Sequence, residues 1–193
     1  MFDAIKAYYK RLVPQITEAE WDALEKCLAM RQLKKGDFLV TAGQICKYVS
    51  FVNSGLVRLY YSIDGKDIST GFAQPGDYTS EYESFLTRKP AAQNIEALTE
   101  TEVLDLGYDD MQRLYKAHPV FQEFGRKISE FLFILLNQRN TALLALSPEE
   151  RYMQMIETNA NLMQLVPQYM LASFIGVTPE HLSRIRRKLS AGS

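Results

Sequence analysis

Four cations, Arg184, Arg186, Arg187 and Lys188, crowd the stretch LASFIGVTPEHLSRIRRKL at residues 171–189, against one acid, Glu180. Over residues 176–193 the balance is four basic groups to one acidic, a local +3. Two chemistries fit such a patch. One is a solvated charge face on an amphipathic end-helix. The other is a cationic helix that lies against a polyanion and reads it. Leu182, Ile185 and Leu189 recur at the spacing that puts them on one helix face. The opposite face then presents Glu180, Arg184 and Arg187, with Ser183 beside them. Glu180 and Arg184 also stand at the spacing of an ordinary intrahelical ion pair.

What separates the two readings is the segment before this helix. A helix-turn-helix packs two short helices at a steep angle and needs a small residue in the first, a glycine in the turn and apolar residues at fixed offsets. Ala172 is the small residue. Gly176 follows four positions later, where a left-handed backbone is cheapest for glycine. Leu171, Ile175, Val177, Leu182 and Ile185 fall at the inward positions. Thr178 is placed to cap the second helix, with Pro179 as its first residue. The pattern favours a DNA-binding pair over a plain charged face.

Three textures along the chain must position this pair. Residues 1 to about 27 read as helical. TEAE at 17–20 fits a capping box with Thr17 as N-cap and Glu20 at the third helical position. From about 29 to 107, short runs rich in β-branched and aromatic residues alternate with turn signals: 38–43, 48–55, 56–65, 68–76, 93–100 and 102–106. That spacing predicts an antiparallel sandwich or barrel. The remainder reads as helical. Residues 109–118 form a short helix ended by Pro119, and an apolar-rich helix runs from about 119 to 146. Phe121, Phe124, Ile128, Phe131 and Leu135 mark one face of it; Leu132, Phe133, Ile134 and Leu136 add apolar area on others, so one side can meet the sheet and another a partner helix. A further helix spans 147–166, with Ser147 as N-cap, Pro148 in its first turn and Glu149 and Glu150 at its positive end.

Composition removes several function classes. The formal charge is −1, so no global basic field marks a nucleic-acid binder, and the signal is local. The longest apolar run, FLFILL at 131–136, is too short to cross a membrane. Charges occupy the N-terminus where an export signal would be apolar, which predicts a cytoplasmic protein. The two cysteines, Cys27 and Cys46, and the two histidines, His118 and His181, build neither a zinc site nor an iron–sulfur cluster. No metal and no cofactor is expected. No nucleophile–histidine pairing is visible, so an enzyme is not expected either.

With these residues in view, the chain resembles the Crp/Fnr superfamily, the catabolite-activator-like bacterial transcription regulators. The resemblance runs through VNSGLVRLYY, FAQPGDYTSEYESF, IEALTETEVLDL, the long helix and ASFIGVTPEHLSRIRRKL. It implies an α+β chain: a cupin-like double-stranded β-roll of the cyclic nucleotide-binding type with N-terminal helices (1–118), a long dimerisation helix (119–146) and a helix-turn-helix DNA-binding domain (147–193). It implies a homodimer on a two-fold double-stranded DNA operator, with no membrane partner. The family's recognition helix carries an acid and, four residues later, an arginine that read bases; these fall on Glu180 and Arg184. Arginine can donate twice to guanine, and a carboxylate can accept from a cytosine amino group. Arg186, Arg187 and Lys188 suit phosphates, which fix register without sequence information. Thr178, His181, Ser183 and, from the first helix of the pair, Gln168 complete the expected DNA-contacting set. The family's winged helix is expected here in pared-down form, because residues 161–167 and those after Leu189 leave little room for a hairpin.

The sensor departs from the family pattern. Cyclic-nucleotide binders carry a glycine–glutamate pair and, further on, an arginine followed by a small polar residue. Ungapped alignment puts Ser80 and Glu81 at the pair but Ala91 and Ala92 at the arginine and its neighbour. A buried phosphodiester without a cation is costly, so weak or no cyclic AMP binding is expected. Ser80, Glu81, Arg88 and Lys89 are the candidate contacts for some other small-molecule effector. Glu81 serves equally well as a helix cap, Arg88 and Lys89 as exposed loop residues, and Tyr60, Tyr61, Tyr78 and Tyr82 as packing rather than pocket lining. The alternative function is a small-molecule-binding or protein-interaction module whose helix pair does not bind DNA.

Overall fold

The computed structural model describes residues 2–191. Two helices open the chain, α1 (Asp3–Leu12) and α2 (Glu18–Glu25). The capping box forms as expected: the Thr17 hydroxyl accepts from the Glu20 N–H at 3.3 Å, and the Glu20 carboxylate accepts from the Thr17 N–H at 2.9 Å. The strands are β1 (Leu28–Leu33), β2 (Phe38–Val40), β3 (Tyr48–Ser54), β4 (Val57–Ile63), β5 (Lys66–Ala73), β6 (Tyr78–Thr79), β7 (Asn94–Ala97) and β8 (Thr101–Gly107), with a short helix α3 (Tyr82–Thr87) between β6 and β7. They form two four-stranded antiparallel sheets, ordered β1-β8-β3-β6 and β2-β7-β4-β5.

Each run expected to be extended carries a strand. The sequence reading missed β1 and β6. β1 shows no clean alternation, and only its pairing with β8, Leu28 opposite Leu106 through Leu33 opposite Thr101, holds it extended. Gly55 turns β3 into β4 at φ +93°, where a Cβ would stand 2.5 Å from the Glu100 carbonyl oxygen. Glycine is needed there for both its backbone and its lack of a side chain.

Helices follow: α4 (Tyr108–Ala117), α5 (Pro119–Ala145), α6 (Pro148–Asn159), α7 (Leu162–Leu165), α8 (Gln168–Ile175) and α9 (Pro179–Ala191). The helix expected over 147–166 is two, broken between Asn159 and Leu162. Its start is as read: Ser147 and Glu150 form a second capping box. Between α6 and α8 the chain makes the one-turn helix α7 rather than a hairpin, and no strand follows β8 among the described residues.

Two cores organise the molecule. The larger lies inside the roll, around Phe51, Val57, Phe85 and Leu104, and is sealed by Ile5 and Tyr9 of α1, Trp21 of α2 and Val120, Phe121 and Phe124 of α5. Tyr9 and Phe124 stack at 3.8 Å. The smaller joins Tyr152, Met155, Met170, Leu171, Ala172, Ile175, Leu182 and Ile185 to Leu56 of the roll, with Phe72 and Leu98 packed against it. The apolar stripe read on α5 is therefore buried only in its first half. Phe131 and Leu135 are exposed, as are Phe133, Ile134, Leu136, Leu143 and Leu144. The apolar contacts of the roll are with the helix's N-terminal half; in the distal half it is Arg139, not the apolar side chains, that meets the roll, at the Ser69 carbonyl.

Candidate nucleic-acid interface

α8 and α9 are separated by Gly176, Val177 and Thr178. Gly176 takes φ +81°, its N–H reaches the Ser173 carbonyl at 3.1 Å, and the Val177 N–H reaches the Ala172 carbonyl at 2.9 Å. That is the Schellman closure of a helix, with Val177 folded back over Ala172. The next helix starts at once: the Thr178 hydroxyl accepts from the His181 N–H at 3.2 Å, and Pro179 is the first helical residue. Leu171 and Ala172 of α8 and Leu182 and Ile185 of α9 are buried against one another in the smaller core. Burying Leu182 and Ile185 stabilises the pair by roughly 1.5–3 kcal/mol each.

This anchoring turns the polar residues outward. Thr178, Glu180, Ser183, Arg184, Arg186, Arg187 and Lys188 are exposed, and His181 is half-buried. The Glu180 carboxyl is held below the usual carboxylate range by its own backbone N–H and by the Thr178 hydroxyl, with the Arg184 charge adding to them. It is therefore a firm anion and acceptor at neutral pH. Lys188, one turn beyond Arg184, stands 3.6 Å from the Glu149 carboxylate at the start of α6. Gln168 reaches across the pair, its amide donating to the Pro179 carbonyl at 3.5 Å. It lines an open cleft with Tyr169, Pro179, Glu180 and Ser183. Tyr169, 55% exposed, is a residue the sequence reading passed over. Its signal was present: an aromatic side chain outside the inward set of Leu171 and Ile175, next to Gln168.

The candidate effector residues lie around α3; the side chains of Ser80, Glu81 and Arg88 are already engaged by the protein itself, and Lys89 is engaged through its backbone. Glu81 is buried and caps α3, its carboxylate accepting from the Ser84 N–H at 2.7 Å. The Ser80 hydroxyl donates to the Tyr48 carbonyl at 3.0 Å. Arg88 ends α3 at φ 60°, donates to the carbonyls of Cys46 and Phe85 at 3.0 and 3.1 Å, and lies over the Tyr108 ring. The Lys89 carbonyl accepts from the Ser84 hydroxyl at 2.5 Å. Backbone pairing shuts the remaining gap. Ile45 bridges Pro90, the Ala91 N–H reaches the Gln44 carbonyl at 2.7 Å, and the Gly43 N–H reaches the Ala91 carbonyl at 2.8 Å. The cavity beside Ser80, lined also by Cys46, Tyr48 and Thr79, holds about 10 Å³. That is room for about one water, where small-molecule sites occupy roughly 300–1,000 Å³. The tyrosines pack: Tyr78 against Tyr8, Phe51 and Phe124, Tyr82 on Phe85, and Tyr60 beneath the Arg58 guanidinium.

Among the described residues no group of His, Cys, Asp and Glu is placed to hold a metal ion, and no helix is long and apolar enough to cross a membrane.

Residues 30–118 match the family model of the cyclic nucleotide-binding domain. No curated protein matches the chain. Among solved structures, the c-di-GMP-responsive global regulator CLP of Xanthomonas campestris superposes with a TM-score of 0.69 at 16% identity, over 91% of this chain and 93% of that one. The catabolite activator protein of Thermus thermophilus does so with a TM-score of 0.59 at 21% identity, over 94% and 87%. A protein of Eubacterium rectale assigned to the Crp/Fnr family of transcriptional regulators gives 0.71 at 17%, over 95% and 88%. At such identities the shared property is the fold, and it extends over nearly the whole chain.

Proposed function

We propose that this chain, which carries a domain of the cyclic nucleotide-binding type on the fold of the Crp/Fnr regulators, is a sequence-specific DNA-binding transcription regulator that acts as a homodimer. The observation that carries the reading is the outward face of α9. Glu180, Ser183, Arg184 and Arg187 stand exposed on a helix whose other face is locked by Leu182 and Ile185. Arg184 is the guanine reader and Glu180 the acceptor from cytosine. Arg186, Arg187 and Lys188 supply phosphate contacts, with Thr178, His181 and Gln168 at the groove edge.

The distal half of α5 supports the dimer. Phe133, Leu136 and Leu143 recur with Asn140 at three-four-three spacing, the seam of a two-stranded coiled coil, and all four are exposed in the single chain. A pair built on that seam presents two α9 helices to successive major grooves roughly 34 Å apart. The division of labour follows: residues 1–118 as sensor-type roll, 119–146 as dimer helix, 147–193 as DNA-binding unit. The roll does not take cyclic AMP in the usual way, because Ala91 stands at the cation's position and the loop that carries it is paired shut against residues 43–46.

The test is electrophoretic mobility shift against genomic fragments over a salt series. A selected fragment should bind with log affinity falling linearly in log salt, at a slope of about −0.9 for each phosphate neutralised. Affinity that ignores salt would leave the helix pair as a protein-interaction surface instead.

A further inference from the structure

β5 is an edge strand, and an edge leaves backbone donors and acceptors open. Here one residue of α8 takes two of them. The Ser173 hydroxyl accepts from the Ser69 N–H at 2.9 Å and donates to the Asp67 carbonyl at 3.0 Å. Those are the two groups flanking Ile68 that a neighbouring parallel strand would take. From α5, the Arg139 guanidinium donates to the Ser69 carbonyl at 3.4 Å and the Phe174 carbonyl at 3.3 Å, and lies 4.0 Å over the Phe174 ring. From β4, Arg58 donates through Nε to the Ser69 hydroxyl at 2.9 Å and through Nη1 to the Asp67 carboxylate at 3.3 Å.

Three elements thus converge on the three residues 67–69. Arg58 is 2% exposed and its Nη2 has no hydrogen-bond partner among the described residues, so the fold holds a buried cation here at a cost. Phe72 and Phe174 close the junction with rings 5.6 Å apart. The consequence is geometric. α8 is bolted at once to the roll and to α5, and α9 is bolted to α8 through the smaller core. The direction in which α9 faces, relative to the long helix, is therefore held in part at Ser69, alongside the tie that Arg151 makes from the Ile175 carbonyl of α8 to the Leu146 carbonyl at the end of α5.

Resting on the reading of the chain as a dimeric DNA binder, we infer that Ser173 and Arg139, seated on the Arg58-supported Asp67–Ser69 segment, are positioning residues that fix the half-site spacing the dimer accepts. They touch no DNA. They act by holding each α9 at one angle to the shared dimer axis, so that an operator with half-sites one base pair closer or further apart is met out of phase. α9 itself reads a half-site whether or not the junction is made.

The test separates these two properties. A selected two-half-site operator, its variants with one base pair inserted or removed between half-sites, and a single half-site are titrated with the wild-type protein, Ser173→Ala, Arg139→Met and Ser173→Thr. Ser173→Ala and Arg139→Met should each lower the preference for native spacing about three- to ten-fold, the scale of one lost hydrogen bond, with half-site affinity unchanged within about two-fold. Ser173→Thr keeps the hydroxyl and should keep the preference. Spacing preference unchanged in both Ser173→Ala and Arg139→Met overturns the inference while leaving the regulator reading intact. So does half-site affinity that falls in step with operator affinity, since the junction would then be shaping α9 rather than aiming it. Wild-type protein that binds none of the fragments overturns the regulator reading and this inference together.

Discussion

In the proposed reading, Arg184 and Glu180 carry the base specificity of the site. Both are exposed on α9, and the Thr178 hydroxyl serves two ends, capping the helix and holding the Glu180 carboxyl. Arg184→Ala should relax base preference at one position of each half-site and remove about 1–3 kcal/mol of discrimination, read as the affinity ratio between operator and point-mutated operator. An unchanged ratio would remove the assigned reader. Tyr169 makes a different case. It lies in the cleft with Gln168, Glu180 and Ser183 and offers a neutral hydroxyl beside the groove edge. Tyr169→Phe should weaken all sequences alike, by about 0.5–1.5 kcal/mol, and leave the salt slope untouched, because a neutral donor releases no counterion. A changed slope would mean that the residue acts through the charges of α9.

At the scale of elements, α6 and α5 make separable predictions. The Ser147–Glu150 box starts α6, the first helix of the C-terminal unit. Ser147→Ala should cost about 1 kcal/mol of stability by denaturant titration. The Glu150 carboxyl is held below its ordinary range first by the Ser147 hydroxyl and then by the Ser147 N–H. A lowered native value means that the contribution is complete above the ordinary carboxylate range and is lost as pH falls through the native value. Glu150→Gln should therefore melt below the wild type at neutral pH and converge with it in acid; a gap that persists in acid would place its origin elsewhere. On α5, Leu136→Asp puts a charge into the seam and should yield monomers by sedimentation equilibrium without lowering the roll's own stability. Leu136 is exposed in the single chain, which leaves the fold nothing to lose there.

For the molecule as a whole, the closed roll is the feature that bears on the cyclic nucleotide-binding domain model matched by residues 30–118. Three of the four candidate side chains are spent on the protein: Glu81 as a cap, Arg88 on two carbonyls, Ser80 on Tyr48. Cyclic AMP at concentrations that would raise a binder's stability by about 2.7 kcal/mol, one hundred times a typical dissociation constant, should leave the melting temperature unchanged. A clear upward shift would show that the 43–46 and 88–92 loops part on demand. Under the proposed reading, coupling between roll and helix pair would run through the Ser69 junction, where roll, long helix and helix pair meet.

Local chemistry was legible before any coordinates. Thr17, Ser147 and Thr178 are caps because a hydroxyl before a helix has orphan N–H groups to accept from, and Gly176 closes α8 because only glycine takes its backbone cheaply. The antiparallel runs and the inward set Leu171, Ile175, Leu182 and Ile185 were legible for the same reason: periodicity is a property of neighbours in sequence. What required the tertiary structure depends on residues far apart in the chain. β1 is a strand because β8 lies beside it, and the distal apolar side chains of α5 are bare because the roll's core packs only on the helix's first half. Ser173 is a bridge because an edge strand about a hundred residues earlier in the chain lies against it. The region around Ser80 and Ala91 is closed because loops some forty-five residues apart hydrogen-bond to each other, and no local pattern encodes a pairing between two irregular segments.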